Sequence, residues 1–246
     1  NSQGSGDGSA VSDSDGLGMA EVATAHFRSQ DVDETRAFLG QLGHHIKIPY
    51  GRDPFAYELA GAASRSLTAV HIDVAVRQAM RATDSAPMLF LPLRTGYAFS
   101  IGRKAWQPDP SRAILIAPDH EYSVQAPAGA FLGLRIDGDL LCREISGRMR
   151  GRSKPLLLKS VEIPIDAGRM ATLRAIYDRM FAVGKGTHPW GAYGNVDTFE
   201  AEVASWVAGL VIEQAGALAA SAGSLQRAAR LERWLDAHLG EDITLD

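Results

Sequence analysis

The chain has almost no cysteine. Cys142 stands alone, which excludes an intrachain disulfide framework and any metal site built of cysteines, and which suits a reducing compartment. There is also no uninterrupted apolar run of transmembrane length and no charged-then-apolar leader at the start, so no membrane partner is expected and the cytoplasm is the expected location. Basic charge is scarce as well: 25 Lys and Arg stand against 29 Asp and Glu, for a net charge of -4. Without clustered cations, this stretch is not expected to act as a general nucleic-acid clamp. No Gly-x-Ser-x-Gly elbow, P-loop or dinucleotide fingerprint occupies a strand-turn-helix context, so nucleophilic and nucleotide chemistry find no foothold. Histidine is present but dispersed. His71 and His120 fall on different expected elements with no His close by in sequence, and His44-His45 reads as a loop where adjacent side chains diverge. Neither a metal nor another cofactor is expected from such spacing.

What is there is strand. From Pro87 to Ile136 short apolar runs alternate with turn residues: Met88–Leu93, Tyr97–Ile101, Ala113–Ile116, Glu121–Gln125 and Phe131–Ile136, separated by Thr95-Gly96, Gly102-Arg103, Pro118-Asp119 and Pro127-Ala128-Gly129. The spacing is too close for crossover helices, which points to an antiparallel barrel or sandwich. Phe55–Ala62 and Leu67–Val76 are the preceding strand candidates. Ahead of them, Asp31 or Asp33 caps an expected helix ending near Leu42, and residues 1–20, rich in Gly, Ser and Asp, read as a disordered tail.

After Ile136 the hydrophobic period lengthens to that of helices. Asp139–Met149 forms one, Asp166 caps a second carrying Met170, Leu173, Tyr177 and Met180, and Asn195 or Asp197 opens a long third helix to about Ala220. On that third helix Phe199, Val203, Trp206 and Leu210 recur at heptad-like intervals, the pattern of a dimerisation seam, although the same seam could face the chain's own barrel. Ser221–Ser224 is expected to break the helix, and Leu231, Trp234, Leu235 and Leu239 to stripe a trailing one. Thr244-Leu245-Asp246 then reads as a helix cap with no helix after it, as in a truncated sequence.

The order of these elements, with the tail from Leu231 through His238-Leu239 and an acidic turn to Thr244-Leu245, resembles the AraC/XylS family of transcription regulators. The upstream region is similar to that family's sensing domain through Asp31–Leu42, the Leu91-Pro92-Leu93-Arg94-Thr95-Gly96 strand-turn, Ala113–Pro118 and Leu132–Ile136. The resemblance implies an α+β fold: a cupin-like antiparallel β-barrel, a helical dimerisation layer and one trailing helix. It also implies a division into a tail (1–20), an effector-binding and dimerisation domain (21–222) and the start of a truncated helix-turn-helix domain (223–246). The implied role is effector sensing, not enzymatic, with a homodimer and a small-molecule effector as partners, and with promoter DNA read only through a missing C-terminal domain.

An aromatic acid is the expected effector. Arg94, His71 and His120 are the candidates to pair with its carboxylate, and Tyr97 and Phe99, with Trp106 and Phe131, to hold its ring. Ordinary filling of the barrel accounts equally well for the aromatics. The rival reading is a small cupin-type metal enzyme or a ligand-binding barrel.

Overall fold

The computed structural model describes residues 22–48, 54–149, 159–184 and 195–238, with side chains omitted from 218 onward. The expected tail and the cap at Thr244 lie outside the described residues, as do the side chains of the Leu231–Leu239 stripe. Twelve strands are described: β1 (Ala23–Ser29), β2 (His45–Lys47), β3 (Tyr57–Ala63), β4 (Leu67–Val74), β5 (Gln78–Thr83), β6 (Met88–Pro92), β7 (Ala98–Ile101), β8 (Lys104–Trp106), β9 (Arg112–Ile116), β10 (Glu121–Ala126), β11 (Gly129–Ile136) and β12 (Val161–Pro164). Described helices are α1 (Val32–Gln41), α2 (Gly138–Arg148), α3 (Ala167–Gly184) and α4 (Val196–His238).

The strands form two antiparallel sheets, a seven-stranded one ordered β1-β3-β4-β11-β6-β9-β12 and a five-stranded one ordered β2-β5-β10-β7-β8. They close on each other as a cupin-like barrel with the helices outside, the α+β architecture expected. Alternation decides which face each residue serves. In β6, Met88 and Phe90 enter the cluster between the sheets while Leu89 and Leu91 enter the cluster under the helices; in β9, Ile114 and Ile116 go inward while Ala113 and Leu115 go outward. Both faces of these strands are buried, which is why they read as unbroken apolar runs. The five-stranded sheet keeps one wet face, so β10 alternates cleanly, with Tyr122, Val124 and Ala126 inside and Glu121, Ser123 and Gln125 exposed.

The helix starts follow their caps. Asp31 accepts from the backbone N–H groups of Asp33 and Glu34, Asp137 from Leu140, Asp166 from Arg169 and Asn195 from Thr198. Three expectations need correction. His45 is in strand β2, not a loop, held beside Arg81. The third long helix does not break at Ser221–Ser224: α4 runs continuously to His238. Alanines favour helix there, and a single interior glycine costs only about 1 kcal/mol.

The dimerisation seam is the third correction. Phe199, Val203 and Leu210 are buried in the chain's own core with Trp206 packed half-buried beside them, and Ala204, Val207, Ala208 and Val211 are buried too. The apolar stripe is thus broader than a heptad seam, as a core-facing helix requires. Its small members let α4 lie close to α2, where Arg148 donates to Ser205 Oγ at 2.8 Å.

Candidate functional site

The barrel interior is occupied by its own side chains. Tyr57, Phe90, Tyr97, Phe99 and Tyr122 are among the largest fully buried residues. The Phe90 ring lies 5.8 Å from Tyr97, 5.4 Å from Phe99 and 4.8 Å from Phe131, while Phe99 stacks on Tyr122 at 5.2 Å. Tyr97 donates to the Ala130 carbonyl at 3.3 Å, and burial, with Asp73 nearby, pushes its phenol up to about 12. Tyr97 and Phe99 therefore hold each other's neighbourhood together, and the expected aromatic pocket is a packed core. The cavities described lie elsewhere. Two are shallow and sit on the outer side of the five-stranded sheet, one against Trp106, Ser100 and Ser123 and the other against Lys47, Arg77 and Gln125.

Nor does the fold gather the three expected carboxylate partners. His71 sits in register with Ala60 and Leu132 on the helix-facing side of the seven-stranded sheet, away from the interior. Arg94 is exposed in the turn after β6, its Cδ lying over Gly129, at the end of the barrel where Phe131 faces Pro92. His120 is exposed at the opposite end, before β10, with Nδ1 2.8 Å from the Pro118 carbonyl. Sequence adjacency to strands said nothing about which end or face each would take.

Polar chemistry concentrates at two places that were not anticipated. The first is Asp84, only 4% exposed, at the His120 end of the barrel. Its Oδ2 accepts from Tyr122 Oη at 2.7 Å, with Arg135 Nε at 3.5 Å and His44 Nε2 at 3.8 Å from Oδ1, and its carbonyl accepts from Asp119 N at 2.7 Å. Burial pushes the carboxyl up, but His44, Tyr122 and Arg135 together outweigh burial and hold it below the usual range. Tyr122 is raised in turn by burial and by Asp84. Arg135 follows Phe131 and Gly133 on the inward side of β11, so a cation at the barrel's end faces the acid from the other sheet. In the sequence, Thr83-Asp84-Ser85 looks like any turn.

The second is a polar cleft of about 520 Å³ lined by Arg65, Ser66, Asp137, Asp139, Leu140, Arg143, Asp197 and Glu200. Three elements meet there: the β3–β4 turn, the start of α2 and the start of α4. Glu200 anchors the junction. It is 3% exposed, and its Oε1 accepts from Ser64 Oγ at 2.6 Å and from the Ser66 backbone N–H at 2.7 Å. One signal could have found it: at helical spacing Glu200 falls on the same stripe as Val196, Val203 and Ala204, and an acid on a buried stripe needs partners. Among the described residues, no group of three or more His, Cys, Asp or Glu side chains is placed to hold a metal ion. No described helix is long and apolar enough to cross a membrane.

No family model and no curated protein matches this sequence. Solved structures do. The AraC-like transcriptional activator CuxR superposes with a TM-score of 0.56 at 15% identity, covering 76% of this chain and 70% of that one. That likeness bears out the resemblance at the level of fold. A cupin-2 domain from Rhodospirillum rubrum matches at 16% identity over 54% of this chain and 82% of its own, with a TM-score of 0.29. A variant of oxalate decarboxylase from Bacillus subtilis matches at 12% identity over 50% of this chain and 31% of its own, with a TM-score of 0.32. The expectation that the chain is not an enzyme is corrected by the last match: proteins similar to this barrel include an enzyme as well as a regulator. At such TM-scores the likeness carries no argument for a particular activity.

Proposed function

We propose that this chain is the effector-sensing region of an AraC/XylS-type transcription regulator. The observation that carries the reading is the likeness to an AraC-like activator, which takes in 76% of this chain. In this reading residues 21–222 sense a small organic effector in the cytoplasm, and residues 223–246 begin the helix-turn-helix domain that meets promoter DNA. The continuous α4 supports such coupling, because it starts against the barrel and runs unbroken past the boundary between the two regions. A homodimer remains part of the proposal. Its interface must use a surface other than Phe199, Val203 and Leu210, which are spent in the core. The preference for an aromatic acid rested on an open aromatic pocket and loses that support, since the interior rings pack on one another.

A gel-shift titration against the DNA upstream of the gene tests the reading. A chain extended through both helix-turn-helix motifs is expected to retard that DNA with sequence specificity that competitor DNA does not abolish, and 1–246 alone is not. Failure of the extended chain to discriminate its own upstream DNA from scrambled sequence refutes the proposal.

A further inference from the structure

The cleft between the β3–β4 turn and the starts of α2 and α4 contains opposite charges that do not satisfy one another. Asp139 and Arg143 are one helical turn apart on α2, a spacing at which acid and base commonly pair. Arg65 stands at the hairpin tip and Asp197 in the first turn of α4. Among the described residues, none of these four side chains forms an ion pair within 4.0 Å, although all line one cavity of about 520 Å³. The floor is built rather than incidental: Glu200 is 3% exposed, and among the described residues both its hydrogen bonds go to Oε1, leaving Oε2 free to accept.

The charge pattern selects among ligand classes. A metal ion is disfavoured by the two guanidinium groups and by the lack of three suitably placed donors among the described residues. A phosphate or dicarboxylate would meet Asp137, Asp139, Asp197 and Glu200 as like charges. A purely cationic ligand would meet Arg65 and Arg143. A molecule carrying both signs meets neither objection, because its carboxylate can take the guanidinium side and its ammonium the carboxylate side.

We infer that this cleft binds a small zwitterion of the α-amino acid class, with Arg65 and Arg143 receiving the carboxylate and Asp139, Asp197 and Glu200 the ammonium. The inference rests on the sensing reading above and deepens it. A ligand in this cleft bridges α2 and the barrel hairpin to the first turn of α4, so it biases the position of the helix that continues to His238. The volume falls within the range of small-molecule sites. Among the described residues Leu140 is the one apolar side chain lining the cleft, which favours a short or polar side chain on the ligand.

The test is isothermal titration of the 246-residue chain with each of the standard L-amino acids, with butylamine as a cation-only control and with acetate and succinate as anion-only controls. At least one amino acid is expected to bind, and its amide and its N-acetyl derivative are expected to lose most of the affinity. Arg143→Ala and Asp139→Asn, both at exposed helix positions, are each expected to weaken binding about tenfold or more while melting as the parent does. Absence of binding by every amino acid, equal binding of the capped derivatives, or binding that survives both substitutions overturns the inference. Binding of succinate independently of Arg143 also overturns it, yet leaves a sensing chain in place. Promoter recognition by the extended chain, scored separately, decides the sensing reading whatever the titration shows.

Discussion

Replacing Asp84 with alanine should destabilise the barrel more than any other single change to its polar groups. The carboxylate is 4% exposed and accepts from Tyr122 Oη at 2.7 Å while facing Arg135 Nε at 3.5 Å. Truncation leaves the Tyr122 hydroxyl without its acceptor and the Arg135 guanidinium at the barrel end without its counter-charge. Breaking a fully buried pair costs about 3–5 kcal/mol. The Arg135 side chain is 38% exposed, so solvent recovers part of that, and about 2–3 kcal/mol is the expected loss. For a chain of this size that corresponds to a fall in Tm of roughly 4–12 °C. The sign with pH follows from the lowered carboxyl in the folded state. A depressed folded pKa contributes stability that is fully present above the unfolded value, near 3.9, and is lost as pH falls through the folded pKa. Thermal unfolding followed by circular dichroism should therefore show a gap between parent and Asp84→Ala that is constant near neutrality and narrows only in strong acid. Asp84→Asn should fall between the two, since its amide oxygen can still accept from Tyr122. A variant that melts within about 1 °C of the parent at pH 7, or a gap that does not shrink on acidification, would show that solvation cost and ion pairing cancel here, as they do in some buried pairs.

Other substitutions test the packing. Val203→Asp puts a carboxylate into a core position 3% exposed, at a cost of at least about 3 kcal/mol; loss of cooperative unfolding, not mere dissociation of an intact protomer, is the expected result in sedimentation and circular dichroism. At Gly133 a Cβ would lie 2.8 Å from Val70 Cγ2 between paired strands, so Gly133→Ala should cost about 1–3 kcal/mol by urea unfolding, and combining it with Val70→Ala should restore part of the loss. Asp31→Ala removes the acceptor for two backbone N–H groups at the start of α1 and should cost about 0.5–2 kcal/mol, seen as faster hydrogen exchange confined to the first turn of that helix.

The strand-rich centre was legible because its residues obey local rules. Met88–Pro92 and Ala113–Ile116 are buried on both faces and read as unbroken apolar runs, and the turn residues between strands mark where each run must stop. Helix starts were equally legible, since Asp31, Asp166 and Asn195 act on backbone groups two or three residues away. Strands β1, β2, β5 and β8 were not. Gln78-Ala79-Met80-Arg81-Ala82-Thr83 buries Ala82 and Met80 against the other sheet, but small side chains give too little contrast to announce it.

Only the tertiary structure decided the faces and the ends. Heptad-like spacing made Phe199, Val203 and Leu210 apolar along one side of a helix, yet whether that side meets a second chain or its own sheet depends on where α2 and the barrel lie. Strand membership likewise could not assign His71 to the helix-facing side, or Arg94 and His120 to opposite ends of the barrel, because registry between strands far apart in sequence sets those positions. The Asp84 cluster and the Glu200 cleft share this origin. Each joins groups that no local pattern relates, Asp84 to Tyr122 and Arg135 across two sheets, Glu200 to Ser64 and Ser66 across 136 and 134 residues. Local sequence dictates secondary structure through short-range hydrogen bonds and alternating burial, whereas polar sites arise from long-range packing that brings distant charges to a common surface.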